Sequence, residues 1–253
     1  MRGFSRFFGK ELQEIARTWR LFVLPGIMLF FAVSGPILAK MTPELLASLT
    51  TSQPGVVIKL PEPTYVDAYV QWAKNLSQLV VFALLIVSGG IVAAERTTGT
   101  AVLVLTKPVS RAGFVVAKFL AQSGLVVVAT LVGTTVTWGV TFAVFGKAPP
   151  AKLFEAAGTW LAFAILLLSI TLLLSCALST IAAAGTAILV YFAILLASAW
   201  GPAVRWSPAG LVGAPMNVVM AQPGEVGWPL ATCVALTGVF VLAAIAVFNR
   251  QEL

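Results

Sequence analysis

The stretch ERTTGTAVLVLTKPVSRAGFVVAK, residues 95–118, decides how the chain is arranged. It is basic, punctuated by glycine and proline, and wedged between two long apolar runs. Arg96, Lys107, Arg111 and Lys118 are cations against the single acid Glu95. Cationic clusters beside membrane spans stay on the cytoplasmic side, so the stretch is expected to be an inner loop that orients the whole chain. Gly99 and Pro108 bracket residues 100–107, because glycine is permissive at a boundary and proline disfavours helix at the residue before it. A helix of about two turns is expected between them, lying along the inner face with a turn at each end. Such a helix is a handle for another protein.

Composition sets the class. Apolar residues make up 59% of the 253-residue chain and charged residues 10%, against about 25% charged in soluble proteins. With a mean hydropathy of +0.99, this is an integral membrane protein. The net charge of +7 lies mostly beside spans, where topology and anionic lipid account for it, so no nucleic-acid partner is expected. Cys176 and Cys233 both sit inside apolar runs and the chain has no histidine, which gives no support for a disulfide framework, a metal site or a His-based relay.

Working outward, residues 1–20 place Phe4, Phe8, Leu12, Ile15 and Trp19 at steps of three or four, with Arg2, Arg6, Lys10, Arg17 and Arg20 between them. That spacing predicts an amphipathic helix in the membrane surface. The alternative is a signal-peptide start, but the amphipathic pattern is more ordered than such a start needs. Six spans are expected at residues 21–39, 76–94, 119–145, 153–174, 185–200 and 228–248, each near or above the roughly 20 apolar residues a crossing requires, the fifth being shortest. Residues 40–75 form an external loop, too short to fold as an independent domain, whose return Tyr65, Tyr69 and Trp72 would anchor. Residues 201–227 carry four prolines and five glycines, yet also Leu211, Met216, Val218 and Met220, which want burial. A re-entrant or interfacial helical segment on the outer face satisfies both demands. Ten of the 16 lysines and arginines then fall inside, with both termini cytoplasmic. The fold class expected is therefore all-α, a single transmembrane domain of six helices preceded by an interfacial helix.

An amphipathic start, six spans, and a pattern after the second span carried by Glu95, Gly99, Thr100, Pro108, Ser110, Arg111 and Lys118 resemble the permease subunit of type-2 ATP-binding-cassette exporters. Ser207 and Pro208, before the last span, are a weaker match. The resemblance implies that the helix after Glu95 is a coupling helix, docking with the starting helix onto a separate ATPase; Arg96 and Lys107 belong to the same docking segment. It implies two copies of that ATPase, which would bind ATP and Mg, and a second permease copy, most simply a homodimer, in the plasma membrane of a prokaryote. It also implies that spans two and five line the substrate path, where Gln78, Ser88, Tyr191, Phe192 and Ser198 are the polar or aromatic candidates.

The residue chemistry fits that role independently. A phosphate-binding loop needs Gly, four residues, then Gly-Lys-Ser/Thr, whereas Gly146-Lys147 is followed by Ala148 and lacks the upstream glycine. The chain is thus expected to bind no cofactor and to be no enzyme itself. A charge such as Glu95 costs about 2.5 to 3.5 kcal/mol at mid-membrane, so it belongs at the boundary, paired with Arg96, Arg111 or a residue of the starting helix. That pairing would make the starting helix, span two and the coupling helix move as one body; the plainer reading is that Glu95 only ends its span. Serines and threonines in spans, including Thr130, Thr134, Thr135 and Thr137, usually bond their own helix, and residues 182–185 read as a close-packing run. An intramembrane enzyme would need paired catalytic groups within the spans, and a proton-coupled carrier an acid or base at mid-bilayer; neither is found. A charge-free lining would suit a hydrophobic or lipid-like cargo. The remaining alternative is a non-transporting scaffold that acts mechanically on an external partner.

Overall fold

A computed structural model describes residues 2–50, 62–99 and 110–251 of the chain. Among these residues the fold is all-helical, and six helical segments are long and apolar enough to cross a membrane. In chain order the helices are α1 (Arg2–Arg17), α2 (Arg20–Thr50), α3 (Tyr65–Asn75), a π-helical turn (Leu76–Val80), α4 (Val81–Ser88) and α5 (Ala93–Thr97). After the segment 100–109 come α6 (Arg111–Phe145), α7 (Ala151–Ala177), α8 (Thr180–Ala197), α9 (Gly201–Trp206), α10 (Gly210–Val219) and α11 (Gly227–Asn249). Span one lies in α2, and span two is the stack from α3 to α5. Spans three to six are α6, α7, α8 and α11.

The helices run past the apolar boundaries read from sequence. Helix α2 continues unbroken through Pro25, Pro36 and Pro43 to Thr50, and span two starts at Tyr65, so much of residues 40–75 is helix rather than loop. Prolines persist inside such a helix because neighbouring helices and local adjustments satisfy the freed carbonyls. Asp67 accepts from the Thr64 N–H at 2.7 Å, closing a capping box that fixes the start of α3. Span three begins at Arg111, because Ser110 is its N-cap and accepts from Gly113 N–H at 3.0 Å. Its 35 residues reach about 52 Å, well beyond a hydrocarbon core of about 30 Å. The ten-residue connection expected between spans four and five shrinks to Leu178 and Ser179. Within 201–227 two short helices form, separated at Ser207, whose hydroxyl donates to Ala203 O at 2.7 Å.

Span four is the hub, packing against spans two, three, five and six. Close approach rests on small residues, the usual means of helix association in lipid. A Cβ on Gly133 of span three would come 2.9 Å from the Trp72 ring, so glycine lets that ring lie against the helix backbone. A Cβ on Gly89 would meet Ala184 Cβ at 2.7 Å and Thr180 O at 2.8 Å, which seats span two on the first turn of span five. The run 182–185 is thus a packing surface. Thr130, Thr135 and Thr137 each donate to the carbonyl four residues back, Val126, Leu131 and Gly133, while Thr134 is buried without a partner among the described residues.

Span two is itself interrupted twice. The π-helical turn frees Ser77 O, which accepts from the Tyr191 hydroxyl of span five at 2.7 Å. At residues 89–92 the helix stops and restarts at Ala93, one turn before the end carrying Glu95. The Ser175 hydroxyl of span four fills this gap, donating to Gly89 O at 2.8 Å and accepting from the Val92 and Ala93 N–H groups at 3.0 Å each. One donor and two lone pairs are all that a serine hydroxyl has, and each is used.

Candidate functional site

The end of the bundle that carries Glu95 gathers α1, the last turn of span two, the first turns of span three and the C-terminal ends of spans four and six. Its floor is an aromatic stack: Phe7 of α1 lies 5.4 Å from Phe114 of span three, which lies 5.1 Å from Phe248 of span six. All three rings are buried. The Lys118 ammonium sits 5.1 Å from the centre of the Phe114 ring, and that of Lys10 lies 5.5 Å from Phe7.

Above the floor lies a network of carboxylates and ammoniums. Lys118, one helical turn on from Phe114, donates to Glu95 Oε1 at 2.8 Å and to Glu11 Oε2 at 2.9 Å. Lys10 reaches Glu14 at 2.5 Å, Glu11 at 3.2 Å and Glu95 at 3.4 Å. The Lys118 side chain is 2% exposed and that of Glu11 6%, whereas Lys10 is 44% exposed, so the network has a dry core and a wet rim. Burial alone would lower the Lys10 pKa, but the carboxylates of Glu14, Glu11 and Glu95 outweigh it and hold the value above the usual lysine range. Because the folded value is raised, the contribution of Lys10 to stability is complete below its ordinary 10.5 and fades only at still higher pH. The carboxylates of Glu11, Glu14 and Glu95 lie within 4.8 Å of one another, a spacing that would suit a metal ion. Lys10 and Lys118 stand among them as cations, which makes the arrangement an ion-pair network. Beside it a cavity of about 10 Å³ is lined by Glu11, Glu14, Thr18, Ile91, Lys118 and Gln122.

The partners of Glu95 therefore include Lys10, a residue of the starting helix, together with Lys118. Arg96 and Arg111 turn elsewhere: Arg96 donates to Cys176 O and Leu178 O, and Arg111 to Asn249 O and Gln251 O. Gly99 follows the end of α5 with φ of +70°, a left-handed position that favours glycine. Thr100, Lys107 and Pro108, and with them the short helix expected over 100–107, lie outside the described residues. Phe4 and Leu12 of α1, and Trp19 in the turn after it, are exposed and Phe8 and Ile15 are half-buried, while Phe7 and Glu11 face the bundle. Sequence reading missed Phe7, Glu11 and Ser175. The signal for Glu11 was that it is one of two acids, with Glu14, on a helix otherwise charged only by cations.

The five residues proposed for a substrate path differ in exposure. Gln78 and Phe192 are exposed, Ser88 and Tyr191 are buried, and Ser198 donates to Leu195 O of its own helix. Tyr191 and Phe192 both flank the Phe82 ring, at 5.7 and 5.8 Å.

A helix-only bundle with six candidate spans, an amphipathic start and a charged junction after the second span defines a multi-pass membrane protein. The profile of the ABC-2 family transporter protein matches residues 7–220, and the chain belongs to that family, an integral membrane permease rather than an ATPase. It is similar to the uncharacterized transmembrane protein YxlG of Bacillus subtilis (strain 168), 23% identical over 253 residues and covering 96% of each chain.

Proposed function

We propose that the chain is the membrane-spanning subunit of an ATP-driven exporter, working as a homodimer with two copies of a separate ATPase that bind ATP and Mg. The observation that carries this reading is the network joining Glu11, Glu95 and Lys118, because it ties α1, span two and span three together on both sides of the segment 100–109. A docked ATPase pushing on that segment would move the three elements as a unit, which a Glu95 that merely ended its span would not require. Both termini and this end of the bundle face the cytoplasm of a prokaryotic cell, consistent with the excess of cations there. The exposed apolar face of span five, including Ile181, Leu189 and Leu196, meets lipid or the second copy.

The test is capture and reconstitution. Tagged chain purified from its host carries an ATPase with it, and in proteoliposomes the pair hydrolyses ATP faster than the ATPase alone. Glu95→Gln lowers that stimulation about tenfold, as expected from losing about 1.4 kcal/mol of coupling. Full stimulation in the variant would leave Glu95 as a span terminator, and failure to capture any ATPase sinks the reading.

A further inference from the structure

Both flanks of the segment 100–109 are tied to one point. Before it, the Arg96 guanidinium donates Nη1 to Cys176 O and Nη2 to Leu178 O, the latter at 3.0 Å. After it, Arg111 Nη1 donates to Gln251 O at 2.8 Å and to Asn249 O at 3.0 Å, and Gln251 Nε2 donates to Cys176 O at 2.5 Å. Cys176 O thus receives a donor from each side. Residues 176–178 close the last turn of span four, whose final carbonyls lack helical partners and carry the negative end of the helix dipole. A guanidinium suits that position because it is always charged and presents two donors in a fixed fork. Ser175, one residue earlier, holds the break in span two.

Span five starts directly beyond this turn. Ser179 alone separates Leu178 from Thr180, the first residue of that helix, and the first turn is also held by the close contact of Gly89 with Ala184 and Thr180 O. Farther along, one face of span five is exposed, with Leu189 68% and Leu196 76%, while Tyr191 on the other face packs against spans two and four. A helix joined to span four through so short a link follows a shift of the turn that precedes it.

We infer that Arg96 and the Arg111–Gln251 pair are positioning residues that pass displacement of the segment 100–109 to the C-terminal turn of span four, and from there across Ser179 to span five. Arg96 in this arrangement faces the bundle rather than a docking partner. The source of the displacement rests on the ATPase proposed above, but the mechanical link does not.

Two measurements separate these. In lipid nanodiscs without any ATPase, Arg96→Gln and Gln251→Ala each raise hydrogen exchange about tenfold at the amides of Leu178 and Ala183, a change equivalent to about 1.4 kcal/mol. Arg96→Lys, which keeps a cationic donor, restores much of the protection. Unchanged exchange at those amides in both variants overturns the link. With the ATPase bound and trapped by ADP and vanadate, a nitroxide pair at Leu131→Cys and Leu196→Cys, with Cys176 and Cys233 replaced by alanine, changes its separation in the otherwise unaltered chain. Arg96→Gln cuts that change to under half, and an undiminished change overturns the link. A separation that stays fixed even without Arg96→Gln, alongside the exchange result expected, upholds the link and overturns the ATP-driven reading.

Discussion

Lys118 is the residue on which the charged end of the bundle turns. Its ammonium is out of water and held by two carboxylates from different helices, so removing it leaves Glu11 and Glu95 facing the more exposed Lys10 in place of a buried partner. Breaking a buried pair in this way costs about 3–5 kcal/mol, while an exposed pair is worth about 1 kcal/mol or less. Lys118→Gln is therefore expected to lower the midpoint of thermal unfolding, followed by tryptophan fluorescence in detergent, far more than Lys10→Gln. Equal losses from the two would mean that water penetrates the network as far as Lys118. Neutralising all three charges together, with Glu11→Gln, Glu95→Gln and Lys118→Met, recovers part of the loss because no uncompensated charge stays behind.

At the scale of elements, span two is a helix in pieces, and Ser175 of span four takes the place of its missing backbone bonds. Ser175→Ala leaves the Val92 and Ala93 N–H groups buried and unpaired, at about 1–3 kcal/mol for each group. The expected result is faster hydrogen exchange at those two amides with little change at Val126 and Thr130 of span three, and uniform acceleration across the bundle would instead mean global destabilisation. This role was not legible in the chain, since a serine in an apolar run reads like Thr130 or Thr137, which bond their own helices. The same limit hid the second carboxylate on Lys118: Glu11 lies 107 residues from it in sequence and only folding brings them together. The spans themselves were legible because the bilayer demands long uncharged runs. Their ends were not, because the helical turns at 40–50 and 65–75 lie beyond the long uncharged runs, and at the start of α3 the Thr64–Asp67 capping box decides instead.

For the whole molecule, the two ends of the bundle differ in chemistry as well as in charge. One end assembles Lys10, Glu11, Glu95, Arg96, Lys118 and Arg111 into ion pairs and helix caps, a charged platform. The other end is built of aromatic and short helical pieces: Tyr69 donates to Pro149 O at 3.1 Å, Trp138 Nε1 to Ala148 O at 2.8 Å, and the exposed Trp206 and Trp228 lie 5.4 Å apart. Tryptophan and tyrosine favour the level of the lipid headgroups, and lysine and arginine near spans favour the cytoplasm, so the two ends should lie on opposite sides of the membrane with the platform inside. The orientation can be read with cysteines introduced at Thr98 and at Gln222 after replacing the two buried native cysteines by alanine. A membrane-impermeant maleimide should label the Gln222→Cys chain in intact cells, and the Thr98→Cys chain only once the membrane is opened. Labelling of Thr98→Cys from outside would put the platform beyond the reach of any cytoplasmic ATPase. The ion pairs would then be a static brace, and the mechanical role would have to be sought at the aromatic end.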